Sequence, residues 1–167
     1  MEKVLYLEKE KSITFTGHRI IPFIRQEEVR TQLTTVVALA YKSGITCFYC
    51  GMALGFDLMA AEVVLSLKDK FSDIQLIAVV PFSGQSSRWT SSEQERYHQI
   101  LSQANKVVTL SKNYFRGCLL RRNDYMLSHS CSVIAYYNGK PKGGTFYTVR
   151  KAERMKMNVV NIYGKRG

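Results

Sequence analysis

The sequence predicts an α/β fold: a single Rossmann-like, doubly wound and mainly parallel sheet of about six strands, flanked by helices. Three observations carry this. Short apolar runs alternate with segments of helical spacing along nearly the whole chain. Those runs are near-continuously apolar, as strands covered on both faces must be. At 167 residues the chain suits one ordinary core, so residues 1–167 are read as one domain with its folded part at about 12–163.

Each element has its own signal. SITFTG (12–17) is the first strand, with Ile13 and Phe15 on one face. In EEVRTQLTTVVALAYKSG (27–44), Val29, Leu33, Val36, Val37 and Ala40 recur at helical spacing, and Gly44 supplies a C-terminal cap. ITCFYC (45–50) reads as a strand, FDLMAAEVVLSLKDK (56–70) as a helix, and IQLIAVVPF (74–82) as a strand ended by proline. SSEQERYHQILSQA (91–104) puts Tyr97, Ile100, Leu101 and Ala104 on one stripe, and Ser92 with Glu95 spells a capping box. KVVTL (106–110) is a strand and 117–129 a helix. SVIAYY (132–137), GGTFYTVRKAERMK (143–156) and NVVNIY (158–163) complete the alternation as strand, helix and strand.

Composition narrows the function classes. Apolar residues make up 46% of the chain, which excludes a disordered protein. The opening run VLYL is too short for a signal-peptide core or a membrane span, so the expected address is the cytoplasm. Charge is uneven: residues 112–167 hold 12 Lys/Arg against 2 Asp/Glu, while residues 1–111 hold 12 against 11. The C-terminal third therefore either faces a polyanion or is a solvated basic face. Cys47 and Cys50 spell C-x-x-C, but on a strand their side chains point to opposite faces about 10 Å apart. A disulfide needs Cα atoms within about 7 Å, so all four cysteines are read as buried small hydrophobes. No spacing for a metal site is found.

In a doubly wound sheet, ligands bind beyond the carboxyl ends of the strands. Four turns fall there: Thr16-Gly17-His18-Arg19, then Gly51-Met52-Ala53-Leu54-Gly55-Phe56-Asp57, then Pro81-Phe82-Ser83-Gly84-Gln85 with Trp89 beyond, and Pro141-Lys142-Gly143-Gly144-Thr145. Glycines let backbone N–H groups approach a ligand, and the helix starts after them favour an anion such as phosphate. Arg19 is a bidentate phosphate clamp or a surface ion-pair partner. His18 is a ligand contact or a structural residue, and Asp57 an N-cap or an acceptor for a ribose hydroxyl. Phe82 and Trp89 are a stacking surface or core anchors. Arg121, Arg122 and Asn123, in the helix over 117–129, are placed to reach an anion. Neither a nucleophile elbow, a P-loop nor a dinucleotide fingerprint is present.

Taken in order, TGHR, G-x-x-x-G-x-D-x-x-A-A-E, P-F-x-x-Q-x-x-x-W with R-Y-H-x-I-L, R-N-D-Y-M and G-G-T-x-Y-T resemble the SLOG superfamily and its small YpsA/YoqJ-like branch. The resemblance covers about residues 12–163. It implies a Rossmann-like domain related to the DNA-processing protein DprA and the Lonely Guy phosphoribohydrolases, with a site for a nucleotide or nucleotide-derived ligand. Carried over, the binding residues are Gly17, Arg19, Gly51, Gly55, Asp57, Arg122, Asn123, Gly143, Gly144 and Thr145. Lonely Guy enzymes carry P-G-G-x-G-T-x-x-E, whereas PKGGTFYT ends on Thr148, which lacks the carboxylate; no catalytic residue is therefore assigned. Asn105 and Cys131 stand where branch members often carry acids. The expectation is a nucleotide-binding or sensor domain without cofactor or catalysis. Two alternatives stay open: an enzyme using Asp57, Glu62 or Asp124 on a nucleotide bond, and a binder of single-stranded nucleic acid. Self-association through exposed helices is a further expectation.

Overall fold

The computed structural model describes residues 8–164; the VLYL run and the last three residues, with Lys165 and Arg166, lie outside them. Six strands form one sheet in the order β4-β3-β2-β1-β5-β6. They are β1 (Ser12–Gly17), β2 (Cys47–Cys50), β3 (Gln75–Val80), β4 (Lys106–Thr109), β5 (Ser132–Tyr136) and β6 (Asn158–Asn161). All five pairings are parallel, so the sheet is wholly rather than mainly parallel.

Five helices connect them: α1 (Gln26–Lys42), α2 (Phe56–Ser66), α3 (Ser91–Gln103), α4 (Cys118–Ser128) and α5 (Gly144–Arg154). The chain steps outward from β1 to β4, then returns across β1 to place β5 and β6 on its other side. Right-handed crossovers put α1, α2 and α3 on one face and α4 and α5 on the other. The packing agrees: α2 touches α1 and α3, while α4 touches α5. The order therefore reverses between β1 and β5, where doubly wound sheets open their crevice.

β1, β2, β3 and β5 are buried almost throughout, which their apolar runs anticipate. The edge strands differ. β4 and β6 are mostly exposed and carry Lys106, Thr109, Asn158 and Asn161, polar residues that discourage pairing with another chain. Cys47 packs with Tyr49, Ile77 and Met126 on one face of the sheet, and Cys50 with the core of the other. Burial pushes the Cys47 thiol up to about 11 and Cys50 well above its ordinary value, so both are inert. Cys131 is half-exposed, against expectation.

Two local signals are corrected. The capping box of α3 is Thr90 with Glu93, not Ser92 with Glu95: Thr90 Oγ1 accepts from the Glu93 amide and Glu93 Oε2 from the Thr90 amide. Both spacings satisfy the pattern, and the preceding loop decides which residue turns into the helix. Short 3₁₀ turns at Lys9–Lys11 and Phe23–Arg25 were not anticipated. Gly44 does cap α1: its amide donates to Tyr41 O and that of Ile45 to Ala40 O, the paired bonds of a Schellman ending.

The crevice is fixed where α2 begins. The Phe56 amide donates to His18 O at 3.1 Å, and the His18 amide to Tyr136 O at 3.2 Å. A Cβ on Gly17 would lie 2.3 Å from the Phe56 ring, and one on Gly55 2.1 Å from the Arg19 carbonyl oxygen. Gly55 also has φ +80°, which side chains disfavour. Gly55→Ala is expected to cost roughly 3 kcal/mol of unfolding free energy, from backbone strain plus a clash that only main-chain movement relieves. Gly44→Ala, at φ +112° but in open space, should cost only about 1 kcal/mol. Urea denaturation of both variants checks the difference.

Candidate functional site

Two cavities open at the carboxyl end of the sheet and share Arg19, Ala53, Tyr114 and Leu119 as a common wall. The inner one, about 430 Å³, lies over the β1–β5 reversal. It is walled by Gly17, His18, Arg19, Asp57, Arg122, Asn123, Gly143, Gly144 and Thr145 together with Lys142. The outer one, about 600 Å³, is walled by Phe82, Gln85, Trp89 and Leu54. Twelve of the sixteen sequence-selected residues thus frame a two-part cleft, counting the four shared or outer positions Arg19, Phe82, Gln85 and Trp89.

Four selected positions, Gly51, Met52, Gly55 and Pro81, fall outside it. Gly51, Met52 and Pro81 are buried and wall neither cavity. Gly51 is glycine for an internal reason: a Cβ there would sit 2.8 Å from the Arg122 guanidinium. Its carbonyl accepts from Arg122 Nη1 and, at 3.0 Å, from Gln85 Nε2. Gly55 walls a separate hollow beside Arg30 and Arg96, on the other side of the loop at Arg19. The two glycine turns are therefore not equivalent. In the first, the Phe56 amide is spent on His18 O, and the Ala53 amide on Asp57 Oδ2 at 3.2 Å. In the second, the amides of Gly144, Thr145 and Phe146 make no hydrogen bond among the described residues. Those orphan donors at the start of α5 form the ready anion cradle.

The floor of the inner cavity is ionic. Arg122 is 5% exposed, and its Nε donates to Asn123 Oδ1 at 2.8 Å. That bond turns the Asn123 amide nitrogen toward Gly144. Asp57 is 6% exposed; it lies in the first turn of α2, whose N-cap is Gly55, so Asp57 is not the cap. Its Oδ1 is buried without a partner. Burial raises the Asp57 carboxyl from 3.8 to about 6, against the opposing pull of Arg122, the Ala53 amide and Arg19. Burial likewise lowers Arg122, against the pull of Asp57 and Cys50.

His18 resolves toward structure while still facing the cavity. Its Nε2 accepts the Asn138 amide at 2.9 Å, and burial lowers its pKa, so the ring is neutral with the proton on Nδ1. Trp89 both packs on the core, edge-on to Tyr97 at 5.2 Å, and walls the outer cavity. Tyr97 in turn holds Gln85 at 3.1 Å. Arg19 is exposed and has no carboxylate partner among the described residues. Of the alternative catalytic carboxylates, only Asp57 reaches the cleft. Glu62 is held by Arg96 and Arg30, and Asp124 by Tyr147 and Lys151. Thr148 is buried, and its hydroxyl donates to Gly144 O at 3.0 Å.

Sequence reasoning placed Lys142 in the turn before α5 without giving it a role, and missed Tyr114 and Gly117. Tyr114, edge-on to Phe82 at 5.4 Å, comes from an irregular loop with no periodic signal.

Asp57 carries a measurable pH signature. Its carboxyl is raised by folding, so the folded chain holds an extra proton between pH 3.8 and about 6. The stability it contributes is fully present below that window and is lost as pH rises through it. Subtracting the melting profile of Asp57→Asn from that of the parent chain should give a difference that declines from about pH 4 to about pH 6 and then levels. A flat difference contradicts the burial argument.

Comparison with known proteins agrees with this architecture. The profile of the YpsA family, described as YspA SLOG family, matches residues 14–163. UPF0398 protein BH1768 of Halalkalibacterium halodurans is 29% identical over 151 residues, covering 89% of this chain and 77% of the relative. UPF0398 protein BCB4264_A1614 of Bacillus cereus is 30% identical over 151 residues, covering 89% and 79%. A solved structure of DNA processing protein A from Helicobacter pylori, described for its single-stranded DNA binding mode, aligns with TM-score 0.63 at 19% identity. It covers 90% of this chain, which spans 64% of that longer one. With sheet order, reversal point and profile in agreement, the chain belongs to the YpsA family of SLOG proteins.

Proposed function

We propose that the chain binds a nucleotide or nucleotide-derived ligand in the two-part cleft and acts as a binding or sensor protein rather than an enzyme. The observation that carries this is the junction at Arg19 and Tyr114. On one side lie the free amides of α5, Asn123, Lys142 and the buried Arg122; on the other lie Phe82 and Trp89. Donors suited to phosphate and rings suited to a base thus wall two adjoining cavities that meet at Arg19 and Tyr114. The unpartnered Asp57 Oδ1 supports a third contact, an acceptor for a ribose hydroxyl between them. Asp57 is the only carboxylate walling the two cavities, so the described cleft offers no pair of carboxylates for acid–base work. No helix among the described residues is long and apolar enough to cross a membrane, and a cytoplasmic address is part of this reading.

A second reading, a nucleic-acid partner, is favoured by the basic C-terminal third and by the DNA-binding Helicobacter pylori protein of like fold.

Calorimetry with nucleoside mono-, di- and triphosphates and with pyrophosphate tests the first reading. Arg19→Ala should weaken nucleotides and pyrophosphate alike, by about tenfold, the value of one charge-assisted contact. Tyr114→Ala should weaken the nucleotides about fivefold while leaving pyrophosphate unchanged. No heat from any member at millimolar ligand, or equal losses from both variants on pyrophosphate, overturns the assignment.

A further inference from the structure

We infer that the outer face of α5, with the loop leading into it, is a docking strip for single-stranded nucleic acid, separate from the nucleotide cleft. The inference rests on the nucleic-acid reading above and not on the cleft. Phe146, Arg150 and Arg154 follow one another at four-residue intervals, and Tyr147, Lys151 and Met155 form the adjacent line. Together these six wall a shallow hollow of about 520 Å³. Helical rise separates successive cations on a line by about 6 Å.

The members of the strip differ in what they are free to do. Lys151 donates to Asp124 at 2.7 Å and the Tyr147 hydroxyl to the same carboxylate at 3.0 Å, which clamps α5 to α4. Arg150 and Arg154 are exposed and have no carboxylate partner among the described residues. The half-buried Phe146 ring continues onto Tyr137, with centroids 6.3 Å apart. Tyr137 is itself fixed through its hydroxyl to Lys140 O at 2.7 Å. Exposed Lys140 and Lys142 stand at this end and exposed Lys156 at the other; Glu153 is the one acid on the helix itself.

Rings set rigidly among unpaired cations fit one partner best. A backbone of phosphates meets the cations, and a base lies on the Phe146 ring. A duplex offers no such base face, because its bases stack on each other. A lipid surface would call for protruding apolar side chains, whereas Phe146 lies half-buried against the helix flank.

Fluorescence anisotropy of a labelled oligothymidylate, titrated with the full chain at low salt, tests this. The Arg150→Ala/Arg154→Ala double variant should weaken binding at least tenfold and flatten the log–log salt slope by about 1.4, at about 0.7 per phosphate on a single strand. Phe146→Leu, which keeps the packing volume but not the stacking face, should weaken it about fivefold or more. Unchanged melting temperature and far-ultraviolet circular dichroism in these variants show that the chain is folded. If the parent chain binds no oligonucleotide at low salt, the nucleic-acid reading falls and the strip with it. If it binds but the α5 variants bind equally well, only the strip falls. Equal binding of the duplex, or of phosphatidylserine vesicles with the same losses, overturns the single-strand assignment.

Discussion

A guanidinium held out of water beneath a glycine governs this site. Arg122 is almost wholly buried, and burying an ion is costly unless its donors are satisfied. Part of the compensation comes from Gly51 O and Asn123 Oδ1, and part from the field of Asp57. Asp57 in turn is desolvated enough to hold a proton far above the ordinary carboxylate range, with one oxygen left unbonded. Each member of the pair is thus more desolvated than a stability argument alone explains. Buried, incompletely matched charge lining a cavity is what a binding site needs and what a plain core avoids.

The backbone geometry follows from that pair. Gly51 is small because Arg122 passes over it, and Gly55 because the loop at Arg19 crosses it. Gly17 is small because Phe56 lies on it and stacks on Tyr136 with ring centroids 5.7 Å apart. These close approaches bring the starts of α2, α4 and α5 to the reversal between β1 and β5. The Phe56 amide of α2 is bonded inward to His18, whereas the Leu119 and Leu120 amides of α4 and the Gly144 and Thr145 amides of α5 make no hydrogen bond among the described residues. The same helix that offers its amino end to the cleft offers its flank to solvent as a basic, ring-bearing surface. One element therefore borders two surfaces of the molecule.

The sheet and its helices were legible because their signals are local and repeated. Apolar runs marked β1, β2, β3 and β5, and four-residue spacing from Val29 to Val37 marked α1. Two elements were read too long, β2 by two residues at its start and α2 by four at its end, where Ile45-Thr46 and the turn over 67–70 lack strand or helix geometry. The cleft residues of β1, α4 and α5 were legible because strand ends in such folds have a fixed place. The glycines of the first turn were legible as glycines but not in their purpose. Their neighbours, Arg122 and the Arg19 carbonyl, are distant in sequence and invisible to a local reading. Tyr114 was hidden for a related reason: an irregular loop carries no period that says which side chain turns inward.

The central claim is that an anion belongs between the start of α5, Asn123, Arg19 and the buried Arg122. Crystals grown with tungstate, a heavy phosphate mimic, test it most directly. The account predicts an anomalous peak within hydrogen-bonding reach of the Gly144 and Thr145 amides. A cleft left empty while tungstate settles only on surface lysines would contradict it.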